Sequence, residues 1–354
     1  MKQRVIHNYQ AKGTFAHQRG LSLVELMVSL VVGLILIYGV IEIYVNSKGT
    51  YRVNEEMARM QESARFAFDL MVPTVRQAGY TGCVAMNNGA PRDIRKTPKD
   101  DFTLTTVLGG HEATSATAWS PALGFVGVEG YTDVISVQST VSCGANLTGN
   151  LTNFKANVQI SATNTCDFAK NDDILISDCS SAELFRATNV SKGGAKVTIA
   201  HAKSVTGNTE NFFETLFGED AELLKPTSTT YYIGTGASGV PALFSRNNLA
   251  ASTAELVEGI EGMQILYGVD TDTAADGVVD RYVKANEIPV SGHNWDRVIS
   301  VRISLLMRSI NPVSTKSGSY TFQDVPSAHG YGPDRYIRQE YTHTVQLRNR
   351  GLLP

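Results

Sequence analysis

A carboxylate in an apolar run near the start of the chain is the first group whose surroundings imply chemistry. Glu25 stands in the stretch from Leu21 to Val45, which carries only one other charged residue, Glu42. At about 1.5 Å per residue, a helix over this stretch is long enough to cross the roughly 30 Å hydrocarbon core of a bilayer. A carboxylate there costs about 2.5–3.5 kcal/mol on insertion scales. It therefore needs a cationic partner, or it must reach the membrane surface.

The segment before this run favours an inside-facing N-terminus. Residues Met1 to Gly20 include four lysines and arginines and no acid. Basic residues ahead of an apolar helix hold that end in the cytoplasm. No A-x-A-like site follows the run, so the pattern is not that of an ordinary secretory signal.

A second group with chemical potential is an acidic segment near residue 275. It holds four aspartates: Asp270, Asp272, Asp276 and Asp280. Counted from Asp272, the order of oxygens and a turn glycine resembles an EF-hand-type calcium loop, although the third and twelfth places hold no oxygen ligand. The alternative is a solvent-facing acidic turn between strands at Tyr267 and Tyr282. Calcium is therefore the cofactor that the sequence suggests, at a weak site.

The cysteines form a third group. They are Cys83, Cys143, Cys166 and Cys179, with no C-x-x-C and no histidine at metal-ligand spacing. All four follow the apolar run, on the translocated side of the membrane, where an even count predicts two disulfides. Three connectivities are open, of which we favour Cys83–Cys179 with Cys143–Cys166. The alternative is free buried thiols.

Other chemistries lack their motifs. The sequence contains no H-E-x-x-H, no Walker A and no G-x-S-x-G pattern. The net charge is −3, which gives no basic footprint for nucleic acid. With 42% hydrophobic and 18% charged residues, the chain can form an ordinary core. The chain is predicted not to be an enzyme and not to bind nucleic acid.

The elements that position these groups begin with one long helix. After the apolar run, hydrophobic residues recur at three- and four-residue steps from Val53 to Val75, with charged residues between them. Pro73 predicts a kink near the end, and Gly79 predicts the stop. We therefore expect three segments: a leader at 1–20, a helix at 21–79 with 21–45 in the membrane, and a head domain at 80–354.

The sequence after residue 80 predicts a head domain that is rich in β-strands. Alternating segments predict strands at 132–137, 173–178, 195–199, 229–233, 264–267, 298–306 and 341–347. The last two are expected to form a long hairpin around an irregular excursion, and Glu255–Gly259 is expected to form a helical turn. A helix followed by antiparallel strands predicts an α+β fold.

The N-terminus resembles the class III leader of type IV prepilins and pseudopilins. The matching residues are Gly20, Leu21 and Glu25 within a hydrophobic frame, although Leu21 stands where phenylalanine is usual. The resemblance implies that a prepilin peptidase cuts after Gly20 and leaves the helix on the mature chain. It also implies that Glu25 pairs with the α-amine of a neighbouring subunit and draws that subunit into register.

Further segments resemble the PilW group of minor pilins. They are Gln61–Phe68, Arg76–Cys83, Asn171–Cys179, Leu184–Arg186, Tyr267–Asp270 and Val301–Leu306. The resemblance implies a pilin-like α+β fold and a minor pilin that primes or caps a type IV pilus. The implied partners are other minor pilins, the major pilin and a large tip adhesin. The implied location is the inner membrane with a periplasmic head, and later the pilus tip.

Two other classes of function remain open from the sequence. The exported domain could itself bind a surface, a sugar or DNA, or the chain could be a membrane-anchored hydrolase. The first lacks a basic or aromatic cluster, and the second lacks catalytic residues. A pseudopilin of a type II secretion system is a variant of the assembly interpretation, although most pseudopilins have smaller heads.

Overall fold

The computed structural model describes residues 20–84, 91–97, 102, 107–289, 294–325 and 331–350. The chain divides into two compact units, which meet between Asn54 and Glu55. The second unit contains the later part of the helix and the strands. Most of the predicted leader, residues 1–19, lies outside the described residues.

A single helix, α1, spans Leu23–Arg76. Pro73 lies inside its last turn, so the helix continues for three residues beyond the predicted kink. The chain then turns at Gly79, whose φ of 72° is the left-handed conformation that glycine adopts without strain. The Gly79 N–H donates to Gln138 O at 2.9 Å, which fixes the helix exit against the head.

The predicted apolar face of the second half of α1 is the face that packs into the head. Its buried apolar residues are Met60, Ala64, Ala67, Met71 and Val75. Each buried methionine or valine contributes roughly 1.5–3 kcal/mol through removal from water.

Glu56 is a buried carboxylate on the same face of α1. Its Oε1 accepts a hydrogen bond from Asn311 Nδ2 at 2.7 Å, and its Oε2 accepts one from the Ile310 N–H at 3.1 Å. Both oxygens are satisfied, so a helix residue that the sequence pattern assigns to the polar set instead ties the helix to a distant loop.

The described residues form eighteen strands after α1. These are β1 (Arg92–Asp93), β2 (Leu108–Ala113), β3 (Trp119–Ser120), β4 (Val134–Asn146), β5 (Val158–Ser161), β6 (Asp173–Ser177), β7 (Ala182–Arg186), β8 (Asn189–Gly193), β9 (Lys196–Ala200), β10 (Glu222–Thr235), β11 (Pro241–Asn247), β12 (Ser252–Glu258), β13 (Ile260–Val269), β14 (Arg281–Val283), β15 (Val298–Arg308), β16 (Gly318–Tyr320), β17 (Tyr331–Asp334) and β18 (Arg338–Gln346). All of the strands predicted from the sequence are present. The predicted helical turn at Glu255–Gly259 is wrong, because this segment forms most of β12, which pairs with β11.

The largest sheet is organised around β10. Its order is β1-β7-β6-β10-β4-β2-β3, with β11 also on β10 and β12 on β11. One side of β10 pairs with β4 over most of its length, whereas the other side pairs with β6 at Glu222–Leu224 and with β11 from Thr229 onward. Pro226 lies in the gap between those two partners, where its missing N–H costs no ladder hydrogen bond.

The second sheet has the order β14-β13-β15-β18. The predicted hairpin is present: β15 pairs antiparallel with β18 without a register shift. The strand pairs are antiparallel except for β1 with β7, a parallel pair of two residues. The expected α+β fold, a long helix with an antiparallel head, is therefore confirmed, with this one parallel addition.

Candidate functional site

The N-terminal junction is built around the first turn of α1. The Ser22 N–H donates to Glu25 Oε2 at 3.3 Å, and the Leu26 N–H donates to Ser22 O at 3.1 Å. Ser22 is thus the N-cap, and Glu25 occupies the third helical position, where a carboxylate satisfies the cap's N–H. The Glu25 side chain consequently bends back toward the Gly20–Leu21 bond.

This capping role was missed in the sequence analysis, although its signal was present. Ser22-Leu23-Val24-Glu25 has the S-x-x-E spacing of a capping box. The same carboxylate can therefore cap its own helix and lie one residue from the α-amine that cleavage after Gly20 would create. The negative charge is also favourable in the first turn of the helix dipole.

The Gly20–Leu21 junction and the apolar run that follows it are exposed on the surface of the chain. Leu21 is 76% exposed, and no heavy atom lies within 4 Å of the position that a Cβ on Gly20 would take. Every large apolar side chain from Leu23 to Val45 is at least 50% exposed. Among the described residues, α1 is the one helix long and apolar enough to cross a membrane. Such an apolar surface needs lipid or other helices around it.

Two protein families match the chain at its two ends. The prokaryotic N-terminal methylation motif matches residues 15–40, and Type IV Pilus-assembly protein W, the PilW family, matches residues 230–349. The matches support a PilW-family type IV pilin with a prepilin-type motif. The predicted resemblance is thereby confirmed. Of the segments that carried it, Tyr267–Asp270 and Val301–Leu306 lie inside the PilW match.

One solved structure aligns with the pilin over most of its length. A type IV-like pilin from Thermus thermophilus aligns over 82% of this chain and 96% of its own, with 8% identity and a TM-score of 0.32. None of the curated proteins compared with the pilin matches it. The fold assignment rests on the helix and sheets described above.

The acidic loop of the pilin connects β13 to β14. Asp270, Asp272 and Asp280 each place a carboxylate oxygen within 4.8 Å of the other two. Asp270 is buried, while the other two are exposed. The charge of Asp280, followed by burial and the remaining aspartates, raises the pKa of Asp272. The three carboxylates therefore repel one another, which is the electrostatic situation that a bound cation relieves.

The buried Asp270 also stabilises the fold of the loop through its own hydrogen bonds. Its Oδ2 accepts hydrogen bonds from the N–H groups of Asp276 and Gly277 at 3.1 and 3.0 Å. Arg297 Nη1 lies 3.9 Å from its Oδ1. Asp276, the fourth predicted ligand, lies outside the group of three, and its Oδ1 accepts from the Val278 N–H. These contacts are those of an acidic turn, and calcium binding stays a proposal for the three clustered aspartates.

The cysteines of the pilin form two cross-links in the head. Cys83 joins Cys179 with a Cα–Cα separation of 4.6 Å, and Cys143 joins Cys166 with a separation of 5.3 Å. The first connects the segment after α1 to the end of β6. The second connects β4 to the loop before β6, beside a core that includes Phe168. The described residues contain no free cysteine.

Proposed function

We propose that this pilin primes or caps the type IV pilus as part of a minor-pilin tip complex. The family matches support a role in pilus assembly. The finer assignment is carried by one observation: an apolar helix, whose large side chains from Leu23 to Val45 are each at least half exposed, is joined to a head unit that runs from Glu55 to the end of the chain. The helix suits packing among other pilin helices, while so large a head is easier to place once, at a fibre end, than at every repeat.

The proposed route begins in the inner membrane. The apolar helix and the prepilin motif fit membrane anchoring followed by pilus assembly. In the proposal the basic leader faces the cytoplasm, the head lies in the periplasm, and a prepilin peptidase cuts after Gly20. Other minor pilins, the major pilin and a large tip adhesin are the proposed partners.

Glu25 is the proposed assembly residue. Its carboxylate already lies beside the N-terminal junction of its own chain. In a bundle of such helices, it can pair with the α-amine of an adjacent subunit, which replaces two poorly solvated charges in lipid by one ion pair. That exchange gives incoming subunits a defined register along the helix.

Deletion of the gene tests the assembly role. We expect fewer surface pili, with partial recovery when retraction is blocked, because a priming component shifts the balance between extension and retraction. Expression of the intact chain from a second copy should restore the count. Unchanged pilus numbers in both the retracting and the retraction-blocked backgrounds would contradict the priming role.

Labelling tests the position in the fibre. Gold particles directed to an epitope on the head should lie at pilus ends. Particles distributed along the shafts would contradict capping and would instead indicate a subunit that is built in repeatedly.

A further inference from the structure

The outer edge of β18 is open over its central residues. Within the described residues β18 pairs with β15 alone. The Leu347 N–H donates to Ile299 O and the Ser309 N–H donates to Ile337 O, so the odd-numbered residues of β18 face β15 in the bonded pairs. The N–H and C=O groups of Glu340, Thr342 and Thr344 consequently point outward.

These outward groups have no partner among the residues that the structure describes, and the strand carries few of the features that usually protect an edge. No other described residue donates to or accepts from the main chain of Glu340, Thr342 or Thr344. The nine-residue strand contains neither proline nor lysine, and its ladder with β15 has no bulge. A long, regular edge of this kind is a template for a further strand.

A groove runs beside this edge. Its volume is about 620 Å³, and it lies between the second half of α1 and the middle of β18. Phe68 and Val72 of the helix and Tyr341 and His343 of the strand supply its apolar wall, with the Phe68 and His343 rings 5.4 Å apart. Thr342, one of the residues with outward main-chain groups, also lines it.

The charges around the groove indicate what would complement it. Arg65 and Asp69 lie 3.8 Å apart and offset each other. Arg76 also lines the groove, and its guanidinium makes no hydrogen bond or ion pair to any residue that the structure describes. The groove therefore has one unmatched positive charge, at the end where α1 terminates.

We propose that the outer edge of β18 accepts an extended strand from a partner protein. The main chain of the strand pairs with Glu340, Thr342 and Thr344, and alternate apolar side chains of the strand lie on Phe68 and Val72. A carboxylate of the strand pairs with Arg76. This mode of recognition takes its affinity from main-chain hydrogen bonds and its specificity from alternate side chains. The identification of that partner as another pilus component rests on the proposed function, whereas the strand pairing does not.

The test uses the full chain in detergent micelles with a defined probe. The probe is the capped heptapeptide Asp-Val-Thr-Val-Thr-Val-Thr, and hydrogen–deuterium exchange is read at single residues. At about ten times its dissociation constant, the probe should slow exchange at Thr342 and Thr344 about tenfold. The amides of Tyr341 and His343, which already bond β15, should change little.

Two controls separate strand pairing from simple apolar binding. The same peptide with its β18-facing nitrogens methylated should give no slowing. In the protein, Thr344→Pro should abolish the slowing, because it removes an outward donor without a ladder bond, whereas Thr344→Val should retain it. If Thr344→Pro lowers the melting temperature strongly, the two peptides on the unaltered chain decide the question.

Three results would overturn the proposal. One is that the unmethylated peptide, at millimolar concentration, does not slow hydrogen–deuterium exchange at Thr342 and Thr344. Another is equal slowing with the methylated peptide, which would indicate apolar binding only. The third is slowing without peptide that grows with protein concentration, which would assign the edge to a second copy. None of these readouts depends on piliation, so the strand proposal and the assembly role fail separately.

Discussion

The carboxylate of Asp133 accepts a hydrogen bond from the backbone N–H of Ile265 at 2.8 Å. Its other oxygen accepts one from the Ala113 N–H at 2.9 Å. Ala113 ends β2 and Ile265 lies in β13, so one buried side chain joins the two large sheets. Burial, followed by the charge of Glu112, raises the pKa of Asp133 to about 7.

The contribution of Asp133 to the stability of the head should therefore decrease as the pH rises. The folded pKa of Asp133 lies above its unfolded value of about 3.9, so its contribution is fully present below that value and is lost through about pH 7. Between these limits the free energy of unfolding should fall by roughly 1 kcal/mol per pH unit. Asp133→Asn should flatten most of this slope, although it costs one backbone hydrogen bond. Glu112, whose pKa burial also raises, should account for the remainder.

Thermal unfolding of the full chain in detergent at several pH values measures this slope. Asp167→Asn is the control, because Asp167 is fully exposed and pairs with Lys192 outside the sheet junction. An unchanged slope in Asp133→Asn would assign the pH dependence to another group.

The mature chain should begin at Leu21 and carry an N-methyl group. The Gly20–Leu21 bond is exposed, and the prepilin motif match covers it. Mass spectrometry of the purified protein gives the N-terminus directly. Gly20→Val should accumulate as the precursor, while Gly33→Val, at a second glycine of the same region, should mature normally. An N-terminus beyond residue 45 would mean that the apolar helix is removed as a signal.

Glu25→Ala should impair incorporation into pili while leaving membrane insertion intact, because the costly carboxylate is lost along with its pairing role. Glu42→Ala is the matched control, since Glu42 is the other carboxylate of the apolar run and lies far from the N-terminus. Incorporation is measured as the amount of this pilin in sheared fibres relative to membranes. Equal incorporation of both variants would remove Glu25 from the assembly mechanism.

The two cross-links should contribute unequally to stability. Cys83 and Cys179 are 96 positions apart, whereas Cys143 and Cys166 are 23 apart. In the chain-entropy account each disulfide stabilises by about 2–4 kcal/mol, and the longer loop should contribute roughly 1 kcal/mol more. Paired serine substitutions and unfolding without reductant measure the difference. Two or more titratable thiols in the denatured, unreduced chain would contradict the pairing.

Calcium should raise the melting temperature of the pilin if the three clustered aspartates bind it. At about ten times the dissociation constant the gain is roughly 1 kcal/mol by mass action. Asp272→Asn should abolish the shift, and Asp276→Asn should retain it, because Asp276 lies outside the cluster. Magnesium should raise the melting temperature less than calcium does, since it requires a tighter octahedral site. No shift at several millimolar calcium would identify the loop as an acidic turn held by Asp270.

Local patterns were sufficient for the parts of the fold that depend on neighbouring residues. The three- and four-residue steps predicted the buried face of α1, and alternation predicted β15 and β18. The prediction of a helical turn at Glu255–Gly259 failed because pairing with β11 imposes a strand conformation there. A local sequence pattern contains no information about that pairing. Glu56 and Asp133 were missed for the same reason, since their partners are far away in sequence.

The candidate sites divide in a similar way. The spacing of Ser22 and Glu25 contains the helix cap, which therefore could have been predicted from the sequence, whereas cleavage after Gly20 and the pairing of Glu25 stay predictions. Counting along an EF-hand-type pattern grouped Asp276 with the other aspartates, whereas the folded loop turns its carboxylate toward Val278. The open edge of β18 has no signature in the chain, because it depends on which strands are placed beside it.

The seating of α1 in the head has a mechanical consequence. Glu56, near the start of the buried face, is tied to the Ile310–Asn311 loop, and Thr74, near its end, accepts a hydrogen bond from the Tyr231 hydroxyl at 3.0 Å. Tension along the helix axis therefore loads these ties and the buried apolar face in parallel, as shear. Parallel contacts must yield together, whereas contacts loaded in series open one at a time. A head held in this way resists being drawn off its helix when the two are pulled along the helix axis.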